Sequence, residues 1–322
     1  MYSRIAGTGS YLPEKVLTNR ELEQMVDTSD EWIRTRTGIE RRHIAAADET
    51  TSTMATEAAR RALAAAGVTA ADVDLVVVGT TTPDLVFPNV ATMVSAALGI
   101  RDRPAIGLEA ACSGFVYGLS IADKFVRLGD ARCALVIGAE TLTRIVDWTD
   151  RNTCVLFADG AGAVVLTPSP EPGIETTVIG ADGQYRDLLY YPFGVSYGLD
   201  RLRGGEPAAI QMKGNEVFKV AVRTLASLVD ETLAKAGLTT ADVDWLVPHQ
   251  ANIRIIEAAA RKLGMPMERV VVTVQDHGNT SAAAIPLALD TAIRDGRIRR
   301  GQRLLLETFG GGFTWGSALI RY

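Results

Sequence analysis

Cysteine and histidine are both scarce: the 322 residues hold three of each. The cysteines stand at positions 112, 133 and 154 with no CxxC pair among them. That spacing argues against a zinc cage and a thioredoxin-like redox motif, and free thiols suit a reducing compartment. Basic residues do not dominate. Lys and Arg number 33 against 38 Asp and Glu, a formal charge of −5. A net acidic chain is a poor general binder of nucleic acid or of an anionic membrane. Long apolar runs are missing too. The longest uncharged stretch, Leu85 to Ile100, is broken by Pro88, Asn89 and Gly99 and is too short to span a bilayer. The start, MYSRIAGTGSYLPE, carries no apolar signal core. The expectation is a cytoplasmic protein. Glycine-rich nucleotide fingerprints are absent as well: GTGSYLP (7–13) and ADGAGA (158–163) fit neither GxGxxG nor GxxxxGK[ST].

What is present is an ordinary globular composition, 47% hydrophobic and 22% charged, enough apolar surface to offset chain entropy. The length favours two domains or one double one. The chain also repeats itself. Residues 63–77, LAAAGVTAADVDLVV, match residues 233–247, LAKAGLTTADVDWLV, at ten of fifteen positions with an offset of 170. Each copy ends an amphipathic helix at a glycine (Gly67, Gly237), turns through an acidic segment and enters an apolar strand. A weaker echo sets Cys112–Gly129 against Asn279–Gly296 at an offset of 167, with Asp123/Asp290, Arg127/Arg294 and Gly129/Gly296 in register. A third pairs GAVVL (162–166) with GSALI (316–320). Each half alternates strand and helix, so layered α/β architecture is expected, with a boundary near the Pro-rich TPSPEPG segment, 167–173. Duplication lets equivalent strand ends from two halves meet at one cleft.

Cys112 lies in GLEAACSGFVYGLSIADKFVRLG, at a strand-to-helix junction where unpaired N–H groups favour a thiolate. A small buried residue is the other reading. Gly114 and Gly118, four apart, let that helix approach its neighbours closely. Cys133 (in CALVIGAE) and Cys154 (in CVLFADG) fall in apolar strand-like runs and are read as packing. His249 ends the repeated strand in VDWLVPHQAN, and strand carboxyl ends are where α/β folds build sites. His277 and Asn279 fall in QDHGNTS, and the second echo makes Asn279 the repeat partner of Cys112. The duplication therefore implies a Cys/His/Asn constellation. FGGGFTWG (309–316) precedes the last strand, either as a tight turn or as a source of backbone N–H groups for an oxyanion hole. TSDEWIRTRTG (28–38) carries a capping-box pattern, Thr28 to Glu31, with Trp32 and Arg36 on one helical face. That pair suits a planar base and its phosphates, or simply packing beside a solvated charge. Arg254, Arg261 and Lys262 form a basic stripe, either a solvated face or a dock for an acidic partner.

AACSGF, VPHQANIRI, HGNTSAAAIP and FGGGFTWGSALIRY together resemble the β-ketoacyl-acyl carrier protein synthases of type III, condensing enzymes of the thiolase-like superfamily. The likeness runs essentially end to end. It implies a thiolase-like fold with duplicated βαβαβαββ halves in a five-layer α/β/α/β/α arrangement, here 1–171 carrying the nucleophile and 172–322 the His/Asn pair. It implies an acyltransferase that condenses a short acyl-CoA, such as acetyl-CoA, with malonyl-acyl carrier protein through an acyl-Cys intermediate. That reaction initiates fatty acid synthesis. Coenzyme A thioester would be a substrate, with no metal and no redox cofactor required.

The resemblance also assigns residues. Cys112 would be acylated. His249 and Asn279 would stabilise the enolate. The amides of Cys112 and Gly311 would form the oxyanion hole. Trp32 and Arg151 would flank adenine, while Arg36, Asn215 and Asn252 would hold the phosphates and pantetheine. Arg254, with Arg261 and Lys262, would dock the carrier protein. Phe87, Leu142 and Phe157 are assigned to the acyl pocket; in the family Phe87 shapes the partner's pocket in a homodimer. Glu109 and Ser113 depart from the usual residues without touching the chemistry. The alternative is a related thiolase-like condensing enzyme of secondary metabolism, forming a quinolone, polyketide or ketone.

Overall fold

A computed structural model describes residues 1–197 and 208–322. Two sheets form. The first contains β1 (Tyr2–Tyr11), β2 (Leu75–Gly79), β3 (Ala105–Leu108), β4 (Ala134–Thr141) and β5 (Asp159–Ser169) in the order β1-β5-β4-β2-β3. The second contains β6 (Ile174–Ala181), β7 (Trp245–Pro248), β8 (Arg303–Gly310) and β9 (Thr314–Arg321) in the order β6-β9-β8-β7. Strand for strand the two sheets agree. In each, the first pair and the second pair are antiparallel and the third is parallel. A parallel bridge from Leu246 to Val270 stands where β3 stands in the first sheet.

Seven helices matter for the site: α1 (Asp30–Thr37), α2 (Thr51–Ala66), α3 (Val90–Leu98), α4 (Gly114–Leu128), α5 (Gly214–Ala236), α6 (Ile253–Leu263) and α7 (Ala284–Arg294). The period-2 alternation of the strands sorts them into layers. Val76 and Val78 of β2 pack outward with α2 and α3. Leu75 and Val77 point inward onto α4 and α7, which share one core with Leu304, Leu306, Ala318 and Ile320 of the second sheet. Leu305 and Leu319 point the other way, onto α5 and α6. The result is α/β/α/β/α. Each of these buried Val, Leu and Ile side chains stabilises the fold by about 1.5–3 kcal/mol. None of the described helices is long and apolar enough to cross a membrane.

The repeat is visible down to its caps. Gly67 and Gly237 end α2 and α5 in the left-handed region, both at φ 68. Short 3₁₀ turns follow at Ala70–Asp72 and Thr240–Asp242, each closed by a reciprocal cap, Thr69 with Asp72 and Thr239 with Asp242. β2 and β7 come next. The second echo needs correction. Turns Ala111–Ser113 and Ser281–Ala283 precede α4 and α7, and Ala111 (φ 46) and Ser281 (φ 48) are both left-handed non-glycine residues. The offset there is 170, so Cys112 corresponds to Ala282 and not to Asn279. The second copy is three residues shorter by Gly129 and Gly296, which is why alignment from that end displaced the match.

Three further expectations shift. β5 continues through Thr167 and Pro168 to Ser169, leaving only residues 170–173 as the connection. β4 begins at Ala134, opposite Leu166, so past that point β5 is an edge on that side, where a residue lacking N–H is tolerated. Ser29, not Thr28, caps α1, its hydroxyl accepting the Trp32 amide, while Gly38 ends the helix at φ 77. Cys154 is fully buried in a turn rather than a strand, its amide donating to the Asp150 carbonyl.

Each turn before a central helix packs on the opposite sheet. A Cβ at Gly138 of β4 would stand 2.1 Å from the Ala282 carbonyl oxygen, and one at Gly310 of β8 would stand 2.7 Å from the Cys112 nitrogen. Both obstacles are backbone and cannot swing aside. Gly138→Ala is therefore expected to destabilise the fold by about 1–3 kcal/mol or more. A urea midpoint equal to that of the wild type would contradict this packing.

Candidate active site

Cys112 is held from both lobes. The Ala111 amide donates to Glu109 Oε1 at 2.8 Å, Thr308 Oγ1 donates to the Cys112 carbonyl at 2.9 Å, and Thr314 Oγ1 donates to the Ala110 carbonyl at 2.7 Å. The β8–β9 hairpin thus clamps the nucleophile turn. The position at the start of α4 predicts a depressed thiol pKa. Instead burial pushes it up to about 12, and the nearby Ser281 hydroxyl only partly opposes the shift. At neutral pH the resting group is a thiol.

His249 follows β7, with its amide donating to the Glu307 carbonyl at 2.8 Å. Neither ring nitrogen has a hydrogen-bond partner among the described residues. Burial lowers its pKa to about 4, so the imidazole is neutral across the physiological range. Asn279 is fixed by its backbone, which exchanges bonds with Leu156 and Ala158, and by its Oδ1, which accepts the Ser281 amide at 3.0 Å. That leaves the Nδ2 group for a ligand.

Cys112, His249 and Asn279 line one cavity of about 360 Å³, together with Trp32, Arg36, Asn215, Asn252 and Arg254. A second cavity of about 450 Å³ is lined by Cys112, Leu142, Phe157, Tyr191, Phe193 and Gly311, among others. Cys112, Phe157 and Leu189 belong to both. The sulfur therefore sits where a polar-mouthed passage meets a largely apolar chamber. The arrangement suits a thioester whose carrier arm lies on one side of Cys112 and whose acyl tail lies on the other.

The remaining candidates divide. The guanidiniums of Arg36 and Arg151 lie 5.4 Å and 5.2 Å from the Trp32 ring centroid, and Arg151 also donates to the Asp27 carbonyl. Asn252 caps α6 through its Oδ1 and donates from Nδ2 to the Arg36 carbonyl at 3.0 Å. Arg254 stacks on Phe218 at the cavity mouth, 5.4 Å from the ring centroid. The other two members of the basic stripe are already paired, Arg261 with Glu257 at 3.8 Å and Lys262 with Asp230 at 2.7 Å. Phe87 lines neither of these two cavities. It is 84% exposed, next to exposed Leu85 and Val86.

Several residues escaped the sequence reading. Glu140 is fully buried and accepts hydrogen bonds from Thr80, Thr81 and Thr82. Glu307 lines the first cavity with both carboxyl oxygens unpartnered, and burial raises its pKa to about 8. An acidic residue closing an apolar run, as in ALVIGAE and LLLE, was the available signal.

Residues 106–183 match the family described as 3-oxoacyl-[acyl-carrier-protein (ACP)] synthase III, and residues 233–322 match its C-terminal counterpart. The chain is 65% identical to the β-ketoacyl-[acyl-carrier-protein] synthase III of Xanthomonas campestris pv. campestris, over 100% of this chain and 99% of that one. Among solved structures it is similar to the 3-oxoacyl-[acyl-carrier-protein] synthase III of Aquifex aeolicus. There the TM-score is 0.93 and the identity 48%, over 99% of this chain and 100% of that one. It is also similar to the priming β-ketosynthase of the R1128 polyketide pathway. For that enzyme the TM-score is 0.94 and the identity 40%, over 99% of this chain and 96% of that one.

Proposed function

The chain belongs to the 3-oxoacyl-[acyl-carrier-protein] synthase III family of condensing acyltransferases, and we propose on that premise how its own residues divide the reaction. Cys112 Sγ attacks the carbonyl of a short acyl-CoA, the tetrahedral oxygen resting on the amides of Cys112 and Gly311, and as the C–S bond to CoA breaks the coenzyme leaves as a thiol, so that the proton given up by Cys112 is balanced by the one CoA carries away. Malonyl-acyl carrier protein then enters the same passage. Loss of CO₂ leaves the bonding electrons on the methylene carbon and thioester oxygen, where a ring N–H of His249 and the Asn279 amide stabilise the charge. The carbanion attacks the acyl-Cys carbonyl, and the Cys112 sulfur leaves with the electron pair and takes up one proton from solvent to restore the thiol. The electrons come from the broken C–C bond, so no step calls for a redox cofactor.

The observation that carries this reading is the meeting of two cavities at Cys112, with His249 and Asn279 lining the carrier side. Trp32 and Arg151 hold the adenine; Arg36, Asn215 and Asn252 hold phosphates and pantetheine. Arg254 is the primary carrier-protein contact, with Arg261 and Lys262 contributing only after giving up their present partners. Leu142 and Phe157 bound the primer. Phe87 completes the pocket of a second copy in a homodimer, which works in the cytoplasm. The halves divide between residues 171 and 172, in the connection between β5 and β6.

A panel of acyl-CoA primers with malonyl-acyl carrier protein, scored by product mass, tests the assignment. Acetyl-CoA is expected to give acetoacetyl-acyl carrier protein as the main product. Condensation with malonyl-CoA or anthraniloyl-CoA, and none with malonyl-acyl carrier protein, would favour the secondary-metabolism reading that the R1128 likeness keeps in view.

A further inference from the structure

His249 and Asn279 hang on different supports. The His249 amide donates to the Glu307 carbonyl of β8, whereas the Asn279 amide donates to the Leu156 carbonyl in the first half at 2.9 Å. The Gln250 side chain ties these supports together. Gln250 follows His249, is fully buried and commits its whole carboxamide to backbone. Nε2 donates to the Pro248 carbonyl at 2.8 Å and the Val271 carbonyl at 3.0 Å, while Oε1 accepts the amides of Thr273 at 2.8 Å and Val274 at 3.0 Å. Two carbonyls face the nitrogen and two N–H groups face the oxygen, so these partners fix which way round the amide lies. The first half shows what it replaces. There β2 pairs with β3 from Val76 to Gly79, and the Thr80 amide still donates to the Leu108 carbonyl at 3.2 Å. Beside β7 the pairing is limited, among the described residues, to the Leu246–Val270 bridge and the bond from the Val271 amide to the Leu246 carbonyl. Gln250 stands where Thr80 stands, 170 residues on. Its side chain offers the donor and acceptor of a peptide group to a chain already leaving the sheet. That chain becomes the short helix Val274–His277, which has no cap from the Thr273 hydroxyl, and Gly278 and Asn279 follow. Gln250 caps it from outside.

We propose that Gln250 is a positioning residue: it sets the spacing and relative direction of the His249 ring and the Asn279 amide, so that both donors reach one malonyl thioester oxygen. This rests on those two residues being the oxyanion donors of the reaction proposed above. The connections are short. On one side the Pro248 carbonyl held by Nε2 adjoins His249 directly. On the other, the His277 amide donates to the Thr273 carbonyl at 2.9 Å and the Gly278 amide to the Val274 carbonyl at 3.0 Å, which fixes the turn that ends at Asn279. Neither connection runs through Cys112, whose turn is clamped by Thr308 and Thr314 instead. Loosening Gln250 therefore acts on decarboxylation and spares acyl transfer to the thiol. Catalytic groups need their geometry held to within about 0.5 Å, and a displacement of about 1 Å costs on the order of 10² in rate.

Two half-reactions of the full chain test this: acetylation of Cys112 by acetyl-CoA, followed by intact mass, and decarboxylation of malonyl-acyl carrier protein, followed by product mass. Gln250→Asn keeps the amide but is one methylene too short to hold Val271 and Thr273 together. It should acetylate at a rate close to wild type and decarboxylate about 10²-fold more slowly. Gln250→Glu keeps the length and the acceptor but turns a second oxygen toward the Pro248 and Val271 carbonyls, and it should show the same split. A double-mutant cycle separates positioning from general damage. With His249 already replaced by Ala, only one donor is left to place, so the loss added by Gln250→Asn should shrink to about tenfold or less. A wild type that does not decarboxylate malonyl-acyl carrier protein would remove the donor pair itself. If wild type decarboxylates, the positioning role is wrong when Gln250→Asn slows both half-reactions equally or neither, or when its effect is undiminished beside His249→Ala. Should Gln250→Asn fail to fold, Gln250→Glu is judged by the same outcomes.

Discussion

Cys112→Ala is expected to yield a folded protein that never carries an acetyl group. Only one sulfur atom is removed, next to two existing cavities, so the structural cost is small. The catalytic cost is not. Overall condensation should fall by at least about 10⁴-fold, the scale on which nucleophile removal acts in other acyl-transfer enzymes. His249 and Asn279 remain in place, so malonyl-acyl carrier protein should still be decarboxylated to acetyl-acyl carrier protein. Intact mass after incubation with acetyl-CoA reads the first result and product mass the second. Full acetylation of the variant at another residue would remove Cys112 from the reaction.

His249→Ala should show the complementary pattern. The imidazole makes no hydrogen bond to other described residues, so its removal strands no polar partner and the protein should fold. Acylation of Cys112 is expected to proceed at a rate close to wild type. Decarboxylation loses one of two donors to the developing oxyanion, about 10²–10³ in rate or ~3–4 kcal/mol. The pH dependence gives a separate check. A histidine with a pKa lowered to about 4 is protonated only below that value, so it contributes no inflection between about pH 5 and 8. A condensation profile with an inflection near 6.5 that vanishes in His249→Ala would mean that imidazolium, not imidazole, does the work.

Much of this was legible in the sequence because it is local. Gly67 and Gly237 mark helix ends whatever surrounds them, and the Thr-x-x-Asp turns that follow carry their own caps. Cys112, His249 and Asn279 stand at the ends of elements that periodicity alone locates. What escaped depends on distance in three dimensions. The three-residue shortening before Gly296 is invisible to an alignment anchored on Asp290 and Arg294, so Asn279 was set against the wrong partner. The helix start at Cys112 predicts an acidic thiol, but desolvation is the larger effect and depends on what covers the sulfur. Lys262 looks free until α5 brings Asp230 beside it, whereas the partner of Arg261, Glu257, lies four residues back on the same helix. Glu140 and Thr80–Thr82 come from two separated segments, and nothing in either announces the other.

The sulfur shared by two cavities has one more consequence. The arm that delivers the primer and the arm that delivers the extender must each present a carbonyl to the same atom by the same route, so they take turns. Spent coenzyme lingering in that route blocks the extender and can reclaim the acyl group, because one thioester has merely replaced another. Only decarboxylation makes the exchange one-way. The fraction of molecules standing charged therefore follows the ratio of loaded to unloaded coenzyme in the surrounding pool, and chain initiation is metered by that ratio before any elongation begins.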